Sequence, residues 1–214
     1  MTGTSRHAQP GRICVPVAGL AARLFPLATP IGRLPIGGYR PEDLDRPRPA
    51  AVLIGVTDES DPRILLTVRS RDLPLHAGQV AFPGGAREHD DASVVETALR
   101  ETSEETGIDA DSVRPLGYLG RYDTVTGYRI TALVGALAAD FRARPDRCEV
   151  ESVFTVPLEH VADEARYRRE RVDYRGRCFE VLTLEHPEHW IWGATAALLH
   201  RFGRLAAGQA GSRP

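Results

Sequence analysis

The sequence predicts a mixed α/β sandwich, and three observations carry this prediction. Strand-like apolar runs and helical stretches interleave along the 214 residues without the regular strand–helix–strand repeat of a doubly wound sheet. One helix near the middle of the chain has clear signals at both of its ends. The length suits one domain with extensions, and 42% apolar residues are enough for a sizeable core.

The strands are predicted from apolar runs bounded by turn residues. Residues 50–56 and 63–69 are two such runs, and the turn-rich sequence TDESDP separates them. A short strand at 79–82 ends at the turn Pro-Gly-Gly. Further strands are expected at 115–122, 128–138 and 150–158, with a hairpin at 174–184. Short helices are expected at 17–25 and 159–165, and a terminal helix at 190–205.

The domain organisation follows from these elements. Residues 1–48 are expected to form an N-terminal extension with one short helix, in which the stretch 35–49 is loop. Residues 49–206 form the domain. Residues 207–214 are expected to be a flexible tail.

Composition excludes several classes of function. The net charge of −2 gives no general basic field for nucleic acid. All 27 basic residues are arginine, which excludes any lysine-based mechanism. The three scattered cysteines show no metal spacing and favour a reducing compartment. No apolar run approaches the roughly 20 residues that span a bilayer. We therefore expect a cytoplasmic protein without nucleic-acid or membrane partners.

The central helix has recognisable ends and an unusual acidic side. Ser93 and Glu96 form a capping-box pattern at its start, and Gly107 occupies the position of a left-handed C-terminal cap. One side is expected to be buried: Val95, Ala98, Leu99, Thr102 and Thr106.

Three glutamates, Glu101, Glu104 and Glu105, fall together on another side of this helix, within an arc of about 100°. Like charges at this spacing repel one another. A hard divalent cation would convert the repulsion into shared coordination. The glycines Gly84 and Gly85 lie just upstream, where backbone can approach a ligand closely. A solvated acidic helix face is the alternative, and the pattern alone leaves it open.

The sequence ALRETSEETGI (98–108) resembles the second half of the Nudix box, although Thr102 replaces the usual aliphatic residue. The first half departs from the pattern. The spacing from Gly85 to Arg100 is one residue longer than in the standard box, and Ala92 stands where the first glutamate is expected. We interpret the neighbouring Asp91 as a loop cap or a supporting group.

An upstream stretch, LLTVRSRDLPLHAGQVAFPGG (65–85), is similar to a signature of the coenzyme A diphosphatase branch of that family. The longer spacing in the box is also typical of this branch. Two later segments are similar too, DTVTGYRIT (123–131) and IWGATA (191–196). The departure is Pro74, which stands where the signature has a second arginine.

The resemblance implies a Nudix-type α/β/α sandwich with a mixed sheet and a metal-dependent hydrolase. The implied reaction cleaves the pyrophosphate of coenzyme A to 3′,5′-ADP and 4′-phosphopantetheine with Mg²⁺ or Mn²⁺. The implied catalytic residues are Arg100, Glu101, Glu104 and Glu105. The implied metal ligands are Glu101, Glu104, Glu105 and the Gly85 carbonyl, and the implied substrate-binding residues are Arg69, Ser70, Gly84 and Gly85.

Several assignments stay open at this point. The general base is one of these glutamates or a distal acid, Glu149 or Glu151. Arg69 is the first candidate for a substrate phosphate, ahead of the arginines at 71, 87 and 129. Trp192 is interpreted as core packing rather than substrate stacking.

The partner is expected to be a small nucleotide, and a homodimer stays open. The alternative functions are a Nudix pyrophosphatase for ADP-ribose, NADH or a dinucleoside polyphosphate, and a non-catalytic nucleotide sensor with the same fold.

Overall fold

A computed structural model of the chain describes residues 17–38, 46–174 and 176–209. The strands are β1 (Ile36–Gly38), β2 (Arg48–Thr57), β3 (Arg63–Arg69), β4 (Val80–Ala81), β5 (Gly84–Ala86), β6 (Val113–Asp123), β7 (Tyr128–Leu137), β8 (Val150–Pro157), β9 (Tyr167–Tyr174), β10 (Arg177–Leu184) and β11 (Ile191–Trp192). The helices are α1 (Val17–Leu20), α2 (Val94–Thr106), α3 (Leu158–Ala162) and α4 (Gly193–Ala206). Within these ranges no helix is both long and apolar enough to cross a membrane.

The strands form one large mixed sheet and one small antiparallel sheet. The large sheet has the order β1-β6-β7-β2-β3-β4, with β5 paired to the start of β2 and β8 paired to β3. The pairs β1–β6 and β2–β7 are parallel, and the other pairs are antiparallel. The small sheet has the order β11-β10-β9.

The large sheet is covered on both faces, which explains the continuous apolar run of β2. Side chains of a strand alternate between the two faces. Accordingly Ile54 belongs to an apolar cluster that includes Phe202 of α4, and Leu53 belongs to a second cluster that includes Ala98 of α2. The arrangement confirms the predicted α/β/α sandwich. Helix α4 packs on the face of the first cluster, and helix α2 packs on the face of the second cluster.

The first predicted helix is shorter than expected. The sequence favours a helix over 17–25, whereas α1 ends at Leu20 and a 3₁₀ turn follows over Ala21–Arg23. The reason is the backbone of Phe25, which exchanges hydrogen bonds with Tyr118 of β6 at 3.0 and 2.8 Å. A residue committed to a bridge of this kind cannot continue a helix.

The described part of the N-terminal extension packs onto the domain. Leu24 lies in the cluster under α4, and Leu34 lies in the cluster under α2. The stretch 35–49 was predicted to be loop, but it contains the short strand β1 at one end and the start of β2 at the other. Residues 39–45 of that prediction lie outside the described residues.

The C-terminal hairpin is longer than predicted, and the last helix begins later. The predicted hairpin at 174–184 corresponds to β10 alone, whose partner β9 was missed. The predicted terminal helix at 190–205 is α4, which starts at Gly193 because Ile191 and Trp192 pair with β10. The predicted tail is described as far as Gln209, and the remainder lies outside the described residues.

Both predicted ends of α2 are confirmed. The Ser93 hydroxyl accepts a hydrogen bond from the Glu96 amide at 3.2 Å, and the Glu96 carboxylate accepts one from the Ala92 amide. Gly107 has φ +66°, and a Cβ there would lie 2.7 Å from the Arg144 carbonyl oxygen. A glycine at this position therefore fixes both the end of the helix and the approach of the segment that follows β7.

We predict that Gly107→Ala lowers the free energy of unfolding by about 2–5 kcal/mol. A left-handed backbone costs an alanine about 1–2 kcal/mol, and overpacking against Arg144 adds about 1–3 kcal/mol. The matched control is Gly193→Ala, because Gly193 has φ +63° but nothing within 4 Å of a Cβ. Urea denaturation of both variants measures the difference, and equal losses would contradict the role of the Arg144 contact.

Candidate active site

Two glycines bring the strand β5 and the helix α2 into close contact. Gly84 has φ +147°, and a Cβ there would lie 2.3 Å from the Ala51 carbonyl oxygen of β2. A Cβ at Gly85 would lie 2.4 Å from Oε2 of Glu101. A side chain at Gly84 would clash with the backbone of β2, and a side chain at Gly85 would displace the Glu101 carboxylate. The Pro-Gly-Gly turn thus allows the glutamates of α2 to lie against backbone.

Glu105 is the most buried of the three glutamates, with 4% of its side chain exposed. Its Oε2 accepts a hydrogen bond from the Gly84 amide at 3.1 Å, and its Oε1 lies 3.6 Å from Nη1 of Arg69. Burial raises the pKa of Glu105 to about 7, against the opposing effects of Gly84 and Arg69, and the charges of Glu101 and Glu149 add to the rise. The sequence placed Glu105 on a shared acidic side, but it points into the protein.

Arg100 holds the other two glutamates and a third carboxylate at once. Its Nη1 lies 3.1 Å from Oε1 of Glu101 and 2.9 Å from Oε2 of Glu104. Its Nε and Nη2 donate to the two oxygens of Asp91 at 2.9 and 3.1 Å. The guanidinium therefore divides its donors, with one edge on Asp91 and one nitrogen between the two glutamates.

Of the two interpretations of Asp91, a loop cap or a supporting group, the contacts with Arg100 favour the supporting group. Besides Arg100 it accepts hydrogen bonds from the Glu88 amide and the Thr97 hydroxyl, both at 2.9 Å, and it is buried. The Arg100 guanidinium holds the pKa of Asp91 well below its usual range. Ala92, where the resemblance expects a glutamate, is exposed. The sequence signal for the contact with Arg100 was the aspartate next to position 92, where the motif glutamate is missing.

The donor chemistry of this cluster fits a hard divalent cation, although the ligands are not assembled around one point. Burial raises the pKa of Glu101, with added effects of Glu104 and Glu149, and Arg100 opposes the rise. Glu104 is 58% exposed. In the described part of the chain no group of three or more His, Cys, Asp or Glu side chains is arranged to hold a metal ion. Carboxylates whose ionisation is disfavoured by burial, and further by neighbouring acids, suit a compensating cation.

Arg69 reaches this cluster and Ser70 does not. Among the described residues, Nε of Arg69 is a buried polar atom without a hydrogen-bond partner. The Ser70 hydroxyl accepts from the Asp72 amide at 3.3 Å, within its own turn. The Ser70 amide donates to the Glu149 carbonyl at 2.8 Å. Ser70 thus ties the end of β3 to the start of β8 through its backbone.

The three weaker phosphate candidates each have a partner in the protein. The contacts are Arg71 to Glu151 at 3.2 Å, Arg129 to Asp123 at 2.7 Å twice, and Arg87 to the Asp91 carbonyl at 3.0 Å. Arg69 also has a partner in Glu105, but it alone of the four contacts a glutamate of α2.

The two distal acids occupy different surroundings. Burial is the main cause that raises the pKa of Glu101 and Glu105, and the charge of Glu149 adds to it, whereas Glu151 pairs with Arg71. Of the two distal acids, Glu149 is therefore the one whose charge acts on the cluster.

Comparison with known proteins places these features in a family context. The family described as the NUDIX domain matches residues 46–202. A protein of Pectobacterium atrosepticum named "Uncharacterized Nudix hydrolase NudL" is 41% identical over 154 residues, which cover 72% of this chain and 80% of that protein. The protein of the same name from Escherichia coli O1:K1 is 41% identical over 167 residues, covering 78% and 85%. Among solved structures, a C. elegans Ap4A hydrolase has a similar fold, with a TM-score of 0.50, 17% identity, and coverage of 74% of this chain and 98% of that one.

We predict that Asp91→Ala destabilises the protein by about 3–5 kcal/mol. The substitution leaves the Arg100 guanidinium and the Thr97 hydroxyl without their buried partner. The control is Asp90→Ala, because Asp90 is the exposed neighbour and its loss should cost less than about 0.5 kcal/mol. Urea denaturation distinguishes the two, and similar losses would show that Asp91 acts only as a loop residue.

We also predict a pH-dependent stability that Glu105 causes. Between pH 4.5 and 7 the folded state binds a proton on Glu105 that the unfolded chain has already released, so stability falls as pH rises. Glu105→Gln cannot ionise. In EDTA the free energy of unfolding of this variant, relative to that of the wild type, should therefore increase across this pH range. The difference should reach about 3 kcal/mol at most above pH 7.

Melting temperatures of both proteins at intervals from pH 4.5 to 8 measure this difference. Other titrating groups are common to the two proteins and cancel. A stability difference that stays constant with pH would contradict the buried, protonated Glu105.

Proposed function

The chain belongs to the Nudix family of hydrolases, and we propose that within it the substrate is coenzyme A or one of its derivatives. The proposed reaction hydrolyses the pyrophosphate bond and yields 3′,5′-ADP and 4′-phosphopantetheine. A divalent cation, Mg²⁺ or Mn²⁺, is the proposed cofactor.

One observation carries this proposal, which is the contact between Arg69 and Glu105. Arg69 belongs to the upstream signature that is similar to the coenzyme A branch, and Glu105 belongs to the acidic helix. The two motifs lie 36 residues apart at these positions (105 minus 69). Their contact at 3.6 Å supports a single site that uses both. This contact supports a role of the signature in the proposed site as well as in the sheet.

The candidate ligands of the cation are Glu101, Glu104 and Glu105, with the carbonyl of Gly85 as a further candidate. Their oxygens are the donors that Mg²⁺ and Mn²⁺ prefer. When bound, such an ion neutralises phosphate charge and lowers the pKa of a bound water.

The remaining residues of the site hold and orient these groups. Asp91 fixes Arg100, and Arg100 directs Glu101 and Glu104 toward the same side of α2. The Gly84 amide fixes one oxygen of Glu105. Glu149 is the proposed distal base, because its charge acts on the cluster and its carboxylate can accept a proton from water.

Arg69 is the proposed phosphate contact. Its Nη1 lies against Glu105, while its Nε is buried without a hydrogen-bond partner among the described residues. An unsatisfied buried donor is costly, and a phosphate oxygen would satisfy it. The 3′-phosphate of coenzyme A adds negative charge that requires such a partner.

A second candidate substrate class is favoured by Pro74. A proline stands where the coenzyme A signature has its second arginine, so one cationic contact of that signature is missing. This departure keeps ADP-ribose, NADH and dinucleoside polyphosphates as alternatives, since each has a pyrophosphate but lacks the pantetheine arm.

We predict that the protein releases 3′,5′-ADP from coenzyme A only when Mg²⁺ or Mn²⁺ is present. Mass spectrometry of the products, with and without EDTA, tests this directly. If kcat/KM is higher for ADP-ribose, NADH or a dinucleoside polyphosphate than for coenzyme A, that molecule is the substrate and the proposal of coenzyme A is wrong. Tight nucleotide binding without turnover would indicate a sensor.

The same assay with Glu104→Gln tests the acidic helix. Loss of a candidate ligand should reduce activity by about 100-fold or more, since even supporting residues of metal sites contribute 10–100-fold. Glu104 is mostly exposed, so the variant should remain folded. The matched control is Glu159→Gln on the exposed side of α3, which should retain full activity. Full activity of Glu104→Gln would support a merely solvated acidic face.

A further inference from the structure

A cleft of about 440 Å³ lies beside the end of β3, outside the glutamate cluster. Its volume falls within the range of about 300–1,000 Å³ that is typical of small-molecule sites. The lining includes two aromatic side chains, an ion pair and an amide: Trp190, Trp192, Arg71, Glu151 and Gln79. The lining therefore offers both aromatic surface and hydrogen-bonding groups.

The two tryptophans form a stacked pair. Their ring centroids lie 4.8 Å apart with an angle of 16° between the planes. Trp190 remains 55% exposed, and Trp192 is half-buried. The sequence interpretation of Trp192 as core packing therefore covers only part of its role. Trp190 stacks on Trp192, yet more than half of its surface remains exposed to water. This exposure of apolar surface is unfavourable unless another molecule covers it.

A β-bulge connects this cleft to the glutamate cluster. The pairing of β3 with β8 shifts between Val68 and Arg69, which leaves Glu151 as the extra residue. At the bulge, Arg69 of β3 contacts Glu105 of α2 at 3.6 Å, and Glu151 of β8 pairs with Arg71 in the cleft.

The two regions are therefore close along the chain. Arg71 follows Arg69 by two residues, and Glu151 follows Glu149 by two residues. Two residues of chain span at most about 7 Å between Cα atoms. A molecule with a planar ring a short distance from a phosphate can reach from one region to the other.

We propose that this cleft binds the heterocyclic base of the nucleotide substrate, with the base stacked on the exposed face of Trp190. The proposal rests on the proposed function, because the nucleotide is the substrate whose diphosphate lies at the glutamates. Every base offers a π-face for stacking. Glu151 and Gln79 supply acceptors and an amide donor for the edge of the base.

The cleft suits the base better than the other half of a coenzyme A-like substrate. A pantetheine arm is a flexible chain without a planar ring, so it gains little from a flat aromatic platform and loses more conformational freedom on binding. The ion pair of Arg71 and Glu151 also favours a polar occupant.

Intrinsic tryptophan fluorescence tests the proposal without turnover. Trp190 and Trp192 are the two tryptophans of the chain, so all of its indole emission comes from the cleft. Titration of the wild type and of Trp192→Phe with 5′-ADP should give saturable quenching. Ribose 5-phosphate and inorganic pyrophosphate, which lack a base, should leave the emission nearly unchanged.

Trp190→Ala should abolish the ADP-dependent quenching of the remaining Trp192. In the product assay it should raise KM for the nucleotide substrate by about 5- to 100-fold, the cost of losing one base–aromatic stack, with a much smaller effect on kcat. Trp190→Phe, which keeps an aromatic face, should restore most of the affinity. Leu27→Ala, which removes another exposed apolar side chain, is the control and should change neither KM nor the quenching.

The outcomes separate this proposal from the proposed function. Saturable quenching by ADP without hydrolysis of any pyrophosphate substrate would keep the base site and reject the enzyme activity. Hydrolysis accompanied by no quenching, by equal quenching with ribose 5-phosphate, or by unchanged quenching in Trp190→Ala would overturn the base site.

Discussion

The guanidinium of Arg100 is the interaction on which the geometry of the site depends. Its Nε and Nη2 hold Asp91, and its Nη1 holds Glu101 and Glu104. A cation bound by the two glutamates would compete with Nη1 alone, because the bond to Asp91 uses other donors. The fixed contact with Asp91 and the replaceable contact with the glutamates thus use different nitrogens of one planar group. A lysine has a single ammonium and cannot divide its donors in this way, and the chain contains no lysine.

Glu105 adds a second constraint, in which stability and function oppose each other. Burial penalises its carboxylate, and the Gly84 amide and Arg69 compensate only in part, since its pKa remains near 7. A protein selected only for stability would replace such a group by a neutral one. An incompletely compensated acid at this position suits the proposed cation site, since residues at functional sites commonly cost stability in this manner.

The sequence predicts those parts of the fold that local chemistry determines. Apolar runs located β2 and β3, and the caps at Ser93 and Gly107 located both ends of α2. β9 was missed because its sequence, YRRERVDY, has the polarity of a loop, and its pairing with β10 comes from tertiary structure. β5 was missed for the opposite reason, because two glycines predict a turn although their backbone also pairs with β2.

The same limit applies to the site. The spacing of Glu101, Glu104 and Glu105 identified the acidic helix, but a helical wheel cannot show that Glu105 lies under Gly84, since that depends on the packing of β5. Likewise the motif could not show that Asp91 binds Arg100. The contact of Asp91 with Arg100 forms only when the longer loop folds back over the start of α2.

The end of β3 explains why the recognisable signature extends over so many residues. Arg69 must reach Glu105, and Gly84 must reach the same carboxylate from the other side. The chain between them leaves the sheet after Arg69, pairs again through β4 and returns at β5. Closing a loop of this length costs little more than closing a short one, because the entropy depends on the logarithm of the length. Sequence changes inside the loop, such as Pro74, can therefore be accommodated while the two fixed ends keep the acid in place.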